Sequence, residues 1–212
     1  VTAQEIAAKA AGNELMLIDA QDAHAFARSH PAGAYNLPYR RAGYASLAGQ
    51  VLTGWNGPVA VVAGHEVIAD AAAAELAAAG FDVAGRLVGG PEDWRAAGLA
   101  VVEVGDLTVD ALHERLGDYT VLDVREPYEW RSGVVPRATL LPLSELDTRV
   151  DELDRGRSYA VVCASGNRSA AASAWLAEQG YRVANVIGGM ALWIGAGHPT
   201  AAADPSANDN ED

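Results

Sequence analysis

The second half of this chain repeats the order of the first, and that duplication limits what it can fold into more than any other feature. Gly80 and Gly180 stand 100 positions apart, and so do Ala63 and Cys163. Asp19 and Asp123 are 104 apart, Leu37-Pro38 and Leu141-Pro142 share that offset, and Trp94 and Trp193 are 99 apart. Drifts of a few residues are what loop insertions leave in a repeated unit. The joint falls at Gly98 to Asp106, dividing the 212 residues into two units of ordinary domain size.

Within each unit, short apolar runs alternate with helical stretches. In the first, Thr2 and Glu5 form a capping-box pattern for a helix over Ala3 to Ala11. Leu15 to Asp19 is an apolar run ending in an acid. A helical piece at Asp22 to Ala27 and a loop at His30 to Ala34 lead to Leu37-Pro38. The segment Tyr39 to Gly57 is broken by Gly43, Gly49, Gly54 and Gly57 and takes no assignment. Pro58 to Val62 reads as a buried strand, and Asp70 to Ala79 as a helix stopped by Gly80. Leu87-Val88-Gly89-Gly90 and a short helix around Trp94 close the unit.

The second unit runs in parallel. It has a helix over Thr108 to Leu116, a run at Tyr119 to Asp123 and a helical piece at Pro127 to Arg131. A loop at Pro136 to Ala138 and a helix over Leu143 to Leu153 follow. A strand, loop and helix around Cys163 come next, then Tyr181 to Ile187, Gly188-Gly189 and a short helix with Trp193. Alternation of this kind predicts an α/β fold in each unit, a mostly parallel central sheet flanked by helices. The expected division is 1–100, 106–200 and a small, acidic, disordered tail at 201–212.

A net charge of -13 argues against a nucleic-acid partner or an anionic membrane, either of which needs a basic patch. One cysteine cannot close an intramolecular disulfide. No apolar run approaches the length of a membrane span. The opening residues do not resemble a signal peptide, and the start at Val1 instead of methionine leaves room for a trimmed segment. A reducing cytoplasm is the expected location.

Cys163 ends the apolar run Tyr159 to Val162. Alone, a cysteine behind two valines is most simply a small buried hydrophobe. Its sequel argues otherwise. Ala164, Ser165, Gly166, Asn167 and Arg168 form a small polar turn, and Ser169 opens an alanine-rich helix. Gly166 allows close approach of backbone, Arg168 brings a fixed cation, and Ser169 is a favoured N-cap. A strand feeding a tight loop and a helix N-terminus holds an anion well, and a cysteine there ionises easily.

Other candidates read as structural. Asp19 and Asp123 end strands and suit bonds to loop backbone. Arg125, Glu126 and Glu129 suit an ion-pair set, and Trp94, Trp175 and Trp193 suit core anchors. Tyr44 and Trp55 are candidates to line the groove between the repeats. The five histidines lack metal-ligand spacing, so no metal is expected. Gly89-Gly90 and Gly188-Gly189 are too short a pattern for a phosphate loop.

These residues together resemble the rhodanese family. Asp123-Val124-Arg125-Glu126, Glu129-Trp130 and Gly133 to Ala138 look like its first signature, with departures at Val134-Val135 and Arg137. Leu141 to Leu146, Cys163 to Ser169 and Gly188 to Trp193 look like the later ones. The resemblance is dense from Asp106 to Pro199. It is weaker from Leu15 to Leu99, through Asp19, His30 to Ala34, Leu37-Pro38 and Gly89-Gly90 with Trp94.

The resemblance implies two tandem rhodanese-like domains and a sulfurtransferase with Cys163 as sulfur carrier. Ala164, Ser165, Gly166, Asn167, Arg168 and Ser169 would bind substrate and persulfide, with Arg168 orienting an anionic donor. No cofactor is implied. The implied partners are a small anionic sulfur donor such as thiosulfate and a thiol or cyanide acceptor, with a sulfur-accepting protein as a further candidate. The first repeat reads Ala63 to Ile68 at the same place, with no nucleophile and no arginine, so it is expected to be catalytically silent. Two alternatives stay open: a non-catalytic sulfur carrier or regulatory module, and a cysteine-dependent phosphatase. The phosphatases of this fold place five residues between cysteine and arginine, whereas four stand here.

Overall fold

Both central sheets are parallel throughout, as expected of strands buried on both faces and joined by helical crossovers. The computed structural model describes residues 1–40, 42–52 and 54–203. Its contacts fall into two units, Val1–Val102 and Glu103–Asp212.

The first unit opens with α1 (Ala3–Ala11), started by the capping box: Glu5 N donates to Thr2 Oγ1 and Thr2 N to Glu5 Oε2. β1 (Met16–Asp19) precedes α2 (Ala23–Arg28), whose first amides at His24 and Ala25 donate to the Asp22 carboxylate. β2 (Ser29–Pro31) takes part of the segment expected to be loop, and β3 (Tyr35–Asn36) leads to α3 (Tyr44–Val51). Then come β4 (Val59–Ala63), α4 (Glu66–Ala78), β5 (Val83–Val88) and α5 (Pro91–Ala96). β6 (Val101–Glu103) pairs with β2, and the main sheet runs β3-β1-β4-β5.

The second unit begins with β7 (Gly105–Leu107) and α6 (Val109–Glu114), capped by Thr108. β8 (Thr120–Asp123), β9 (Thr139–Leu140) and α7 (Leu146–Arg149) follow. β10 (Ser158–Val162), α8 (Asn167–Glu178), β11 (Arg182–Val186) and α9 (Gly189–Gly195) complete it. Its sheet has five strands, β7-β11-β10-β8-β9, so β7 is an edge strand added to the pattern of the first sheet.

The side-chain alternation of the central strands divides each core into two layers. In β10, Ala160 and Val162 face one layer with Trp193 and Met190, while Tyr159 and Val161 face the other. Cys163 continues the second set and packs with Ala172 and Leu176 of α8. The same period in β4 sends Val59, Val61 and Ala63 one way, and Ala60 and Val62 the other. Trp94 and Trp193 are buried at equivalent ends of the two units, as expected of anchors. Trp175 is only partly buried.

Several expectations need correction. The unassigned segment holds α3, because Gly43 adopts a left-handed conformation and starts the helix, while Gly54 and Gly57 lie beyond its end. Tyr44 lines no groove. It is fully buried in the first unit's own core with its hydroxyl donating to Leu37 O, and Trp55 packs beside that core. The helix expected over Leu143 to Leu153 is broken into two 3₁₀ turns around the four-residue α7. Leu143, Leu146, Val150 and Leu153 still face the core, a spacing that 3₁₀ and α turns satisfy alike. Pro127 to Arg131 yields only a 3₁₀ turn, Trp130–Ser132. Ala201, where the tail was expected to begin, instead exchanges two backbone hydrogen bonds with Val134. Residues 204–212 of that tail lie outside the described residues. No helix among the described residues is long and apolar enough to cross a membrane.

Candidate active site

The loop after β10 turns back around the sulfur of Cys163. The residue is 1% exposed, and Gly166 N donates to its Sγ at 3.2 Å. Burial alone pushes the thiol up. Hydrogen bonds from the Ser169 hydroxyl and from the amides of Ser169, Ser165 and Gly166 outweigh that and hold it below the usual thiol range. The loop thus has the form of an amide nest that favours the thiolate form of the sulfur.

Ala164 is half-buried, Ser165 and Asn167 are exposed at the loop tip, and Gly166 is buried. Gly166 is left-handed at φ 96° and caps α8. Ser169 is consequently not the N-cap expected of it. It is the third residue of the helix, within its first turn and fully buried, with its hydroxyl donating to Asn185 Oδ1 at 2.8 Å.

The loop rests on a platform that sequence reasoning passed over. Met190 N donates to Cys163 O at 2.8 Å, and Ala191 N to Ala164 O at 2.9 Å. A Cβ on Gly189 would sit 2.2 Å from Cys163 O, and one on Gly166 would sit 2.9 Å from Gly188 N. Gly188-Gly189 is thus the seat of the cysteine loop. The only signal for it was a glycine pair at a fixed place in each repeat.

Arg168 is not the free cation that the sequence suggests. Its two terminal nitrogens bind the two Glu129 oxygens at 2.6 and 2.7 Å, a bidentate pair. That hydrogen bonding raises the guanidinium further, and the nearby Cys163 charge adds to it. The same contact lowers the Glu129 carboxyl below its ordinary value despite partial burial.

Glu129 is in turn held by a buried clamp. Arg125 binds Asp123 at 2.7 Å and donates to the carbonyls of Glu129 and Gly133 at 3.3 and 2.8 Å. Glu129 Oε2 also accepts from Glu126 N at 3.1 Å. The ion-pair set expected of Arg125, Glu126 and Glu129 is not formed among those three: Arg125 pairs with Asp123, Glu126 accepts from the Ser144 hydroxyl, and Glu129 reaches across 39 residues to Arg168 in the cysteine loop.

At the equivalent place in the first unit, Ala63 replaces the cysteine, Ile68 the arginine and Ala69 the serine. Glu66 and Asp70 are both ion-paired with Arg86, the former at 3.2 Å. Among the described residues no group of three metal-ligating side chains converges. His113 and His198 stack with centroids 4.4 Å apart, and His198 Nε2 lies 2.8 Å from Asp110 Oδ1.

Comparison with known proteins shows the family. The rhodanese-like domain pattern matches residues 2–97 and again 108–196. A sulfurtransferase of Allochromatium vinosum is 36% identical over 103 residues, covering 47% of this chain and 96% of that protein. The crystal structure of a rhodanese-related protein from Thermoplasma volcanium aligns at 40% identity and TM-score 0.46, over 47% of this chain and 99% of that one. A thiosulfate sulfurtransferase structure from Pseudomonas aeruginosa aligns at 25% identity and TM-score 0.48, over 96% of this chain and 43% of that one. With the domain pattern met twice along its length, this chain belongs to the rhodanese-like family and carries two of its domains in tandem.

Proposed function

We propose that this protein is a sulfurtransferase that moves a sulfane sulfur from a donor such as thiosulfate to a nucleophilic acceptor, cyanide or a thiol, through a persulfide on Cys163. The observation that carries this reading is the nest: a buried sulfur ringed by hydrogen-bond donors that favour its anion. The Cys163 thiolate attacks the outer sulfur of the donor. A new S–S bond forms to Cys163, the donor's own S–S bond breaks, and its electron pair leaves with sulfite. The acceptor then attacks the outer sulfur, and the electron pair of the cleaved bond returns to Cys163 as thiolate. No net oxidation occurs and no general base is needed.

The nest amides are preorganised for charge on sulfur in both halves of the cycle. Arg168, paired with Glu129, contributes field and loop rigidity more than donor binding. The first unit offers Ala63 where a nucleophile would stand, and we assign it no chemistry.

Steady-state thiocyanate formation with thiosulfate and cyanide tests the reading. The expected result is parallel double-reciprocal lines, the mark of a covalent intermediate, and no turnover in Cys163→Ser. Hydrolysis of aryl phosphates without sulfur transfer would overturn it. A persulfide that forms but discharges only to a protein would recast the chain as a sulfur carrier.

A further inference from the structure

Edge strand β7 brings Asp106 directly opposite Asn185 of β11, and among the described residues the first sheet has no such strand. Asn185 is buried at 8% exposure and bridges two partners. Its Nδ2 donates to Asp106 Oδ1 at 3.4 Å, and its Oδ1 accepts from the Ser169 hydroxyl at 2.8 Å. The same hydroxyl lies within hydrogen-bonding reach of Cys163. A serine hydroxyl has one proton to donate. Asn185 and the sulfur therefore compete for it.

Asp106 decides how the amide of Asn185 stands. A carboxylate only accepts, so it selects the NH₂ end for its side and leaves the carbonyl facing Ser169. Reversing the amide would set two acceptors against each other at Asp106 and two donors at Ser169. We propose that Asn185, oriented by Asp106, is a positioning residue that shares the Ser169 proton with the Cys163 sulfur and so weakens that hydrogen bond, leaving the thiolate more to the backbone amides. The benefit is nucleophilicity. A thiolate held by fewer donors is more basic, and attacking power rises with basicity, with a Brønsted slope of about 0.4–0.5.

The first unit supplies an internal comparison. By strand register, Arg86 stands where Asn185 stands, since Val61 pairs with Arg86 as Val161 pairs with Asn185. Arg86 turns instead to Glu66 and Asp70. The repeat without a nucleophile thus lacks the serine and the asparagine as well.

This inference rests on Cys163 being the nucleophile, and its test does not require sulfur transfer. The pH profile of Cys163 alkylation by iodoacetamide reports the thiol directly. Asn185→Leu removes the competing acceptor, so the Ser169 hydroxyl turns to the sulfur and the midpoint falls by about 0.5–1 unit, the worth of one hydrogen bond. In Asn185→Leu combined with Ser169→Ala the fall disappears. Asp106→Asn, an exposed change that spares the core, gives a smaller fall in the same direction by releasing the amide. An unmoved midpoint in both Asn185→Leu and Asp106→Asn, or a fall in Asn185→Leu that survives the added Ser169→Ala, overturns the proposal. Alkylation that behaves as expected while no sulfur is transferred would sink the proposed function and leave this inference standing.

Discussion

Asp19 and Asp123 end equivalent strands, and a single residue two positions later separates their chemistry. Asp123 meets Arg125 in a buried ion pair. Asp19 meets the neutral Gln21, whose amide and side chain donate to it at 2.9 and 3.0 Å. Burial pushes the Asp19 carboxyl up to about 6 from its ordinary 3.8, and the Gln21 bonds and His30 only partly offset that. A raised carboxyl favours the protonated fold, so its contribution to stability is full below 3.8 and lost as pH rises through about 6. Asp19→Asn should flatten that loss, worth about 3 kcal/mol, in urea unfolding measured from pH 4 to pH 8. An unchanged pH slope in the variant would contradict the assignment. Arg137 carries a second residue-scale cost. It sits at φ 64° where Gly33 sits at φ 74° in the first unit. Arg137→Gly should therefore stabilise the protein by about 1 kcal/mol in denaturant unfolding. The Asp19 shift could be suspected from the sequence only by aligning the repeats, whereas Arg137 stood out as well by its departure from the family signature.

At the scale of elements, the strands and the cysteine loop were legible because their signals are local. Five consecutive apolar residues make a buried strand, and a turn of small polar residues before a helix makes a nest. The helix over Leu143 to Leu153 misled because its apolar spacing fits 3₁₀ and α turns equally. The Gly188-Gly189 seat and the Glu129–Arg168 pair were not legible, because each joins segments far apart in the chain. The seat makes a sharp prediction. Gly189→Ala drives a Cβ into Cys163 O from a backbone at φ 54°, which should cost roughly 2–3 kcal/mol and return Cys163 alkylation toward that of an ordinary thiol. Gly64→Ala at the loop of the first unit meets nothing within 4 Å, and should stay within about 0.5 kcal/mol of the parent. Equal effects of the two changes in unfolding and alkylation would show that the glycine pair is not the seat of the loop.

At the scale of the whole molecule, the duplication makes the architecture readable from the order of residues alone, and it is the best control on function. Two copies of one plan share the buried aspartate, the glycine pair and the anchoring tryptophan. They differ at Cys163, Ser169 and Asn185, which correspond to Ala63, Ala69 and Arg86 in the first unit, and the proposed chemistry falls to the copy with the cysteine. The central claim is that Cys163 alone accepts a sulfur atom. Intact-mass spectrometry after thiosulfate treatment tests it most directly. The expected result is a gain of one sulfur in the parent, removed by cyanide and absent from Cys163→Ser. No gain with thiosulfate or any other sulfane donor, or an equal gain in Cys163→Ser, would contradict it.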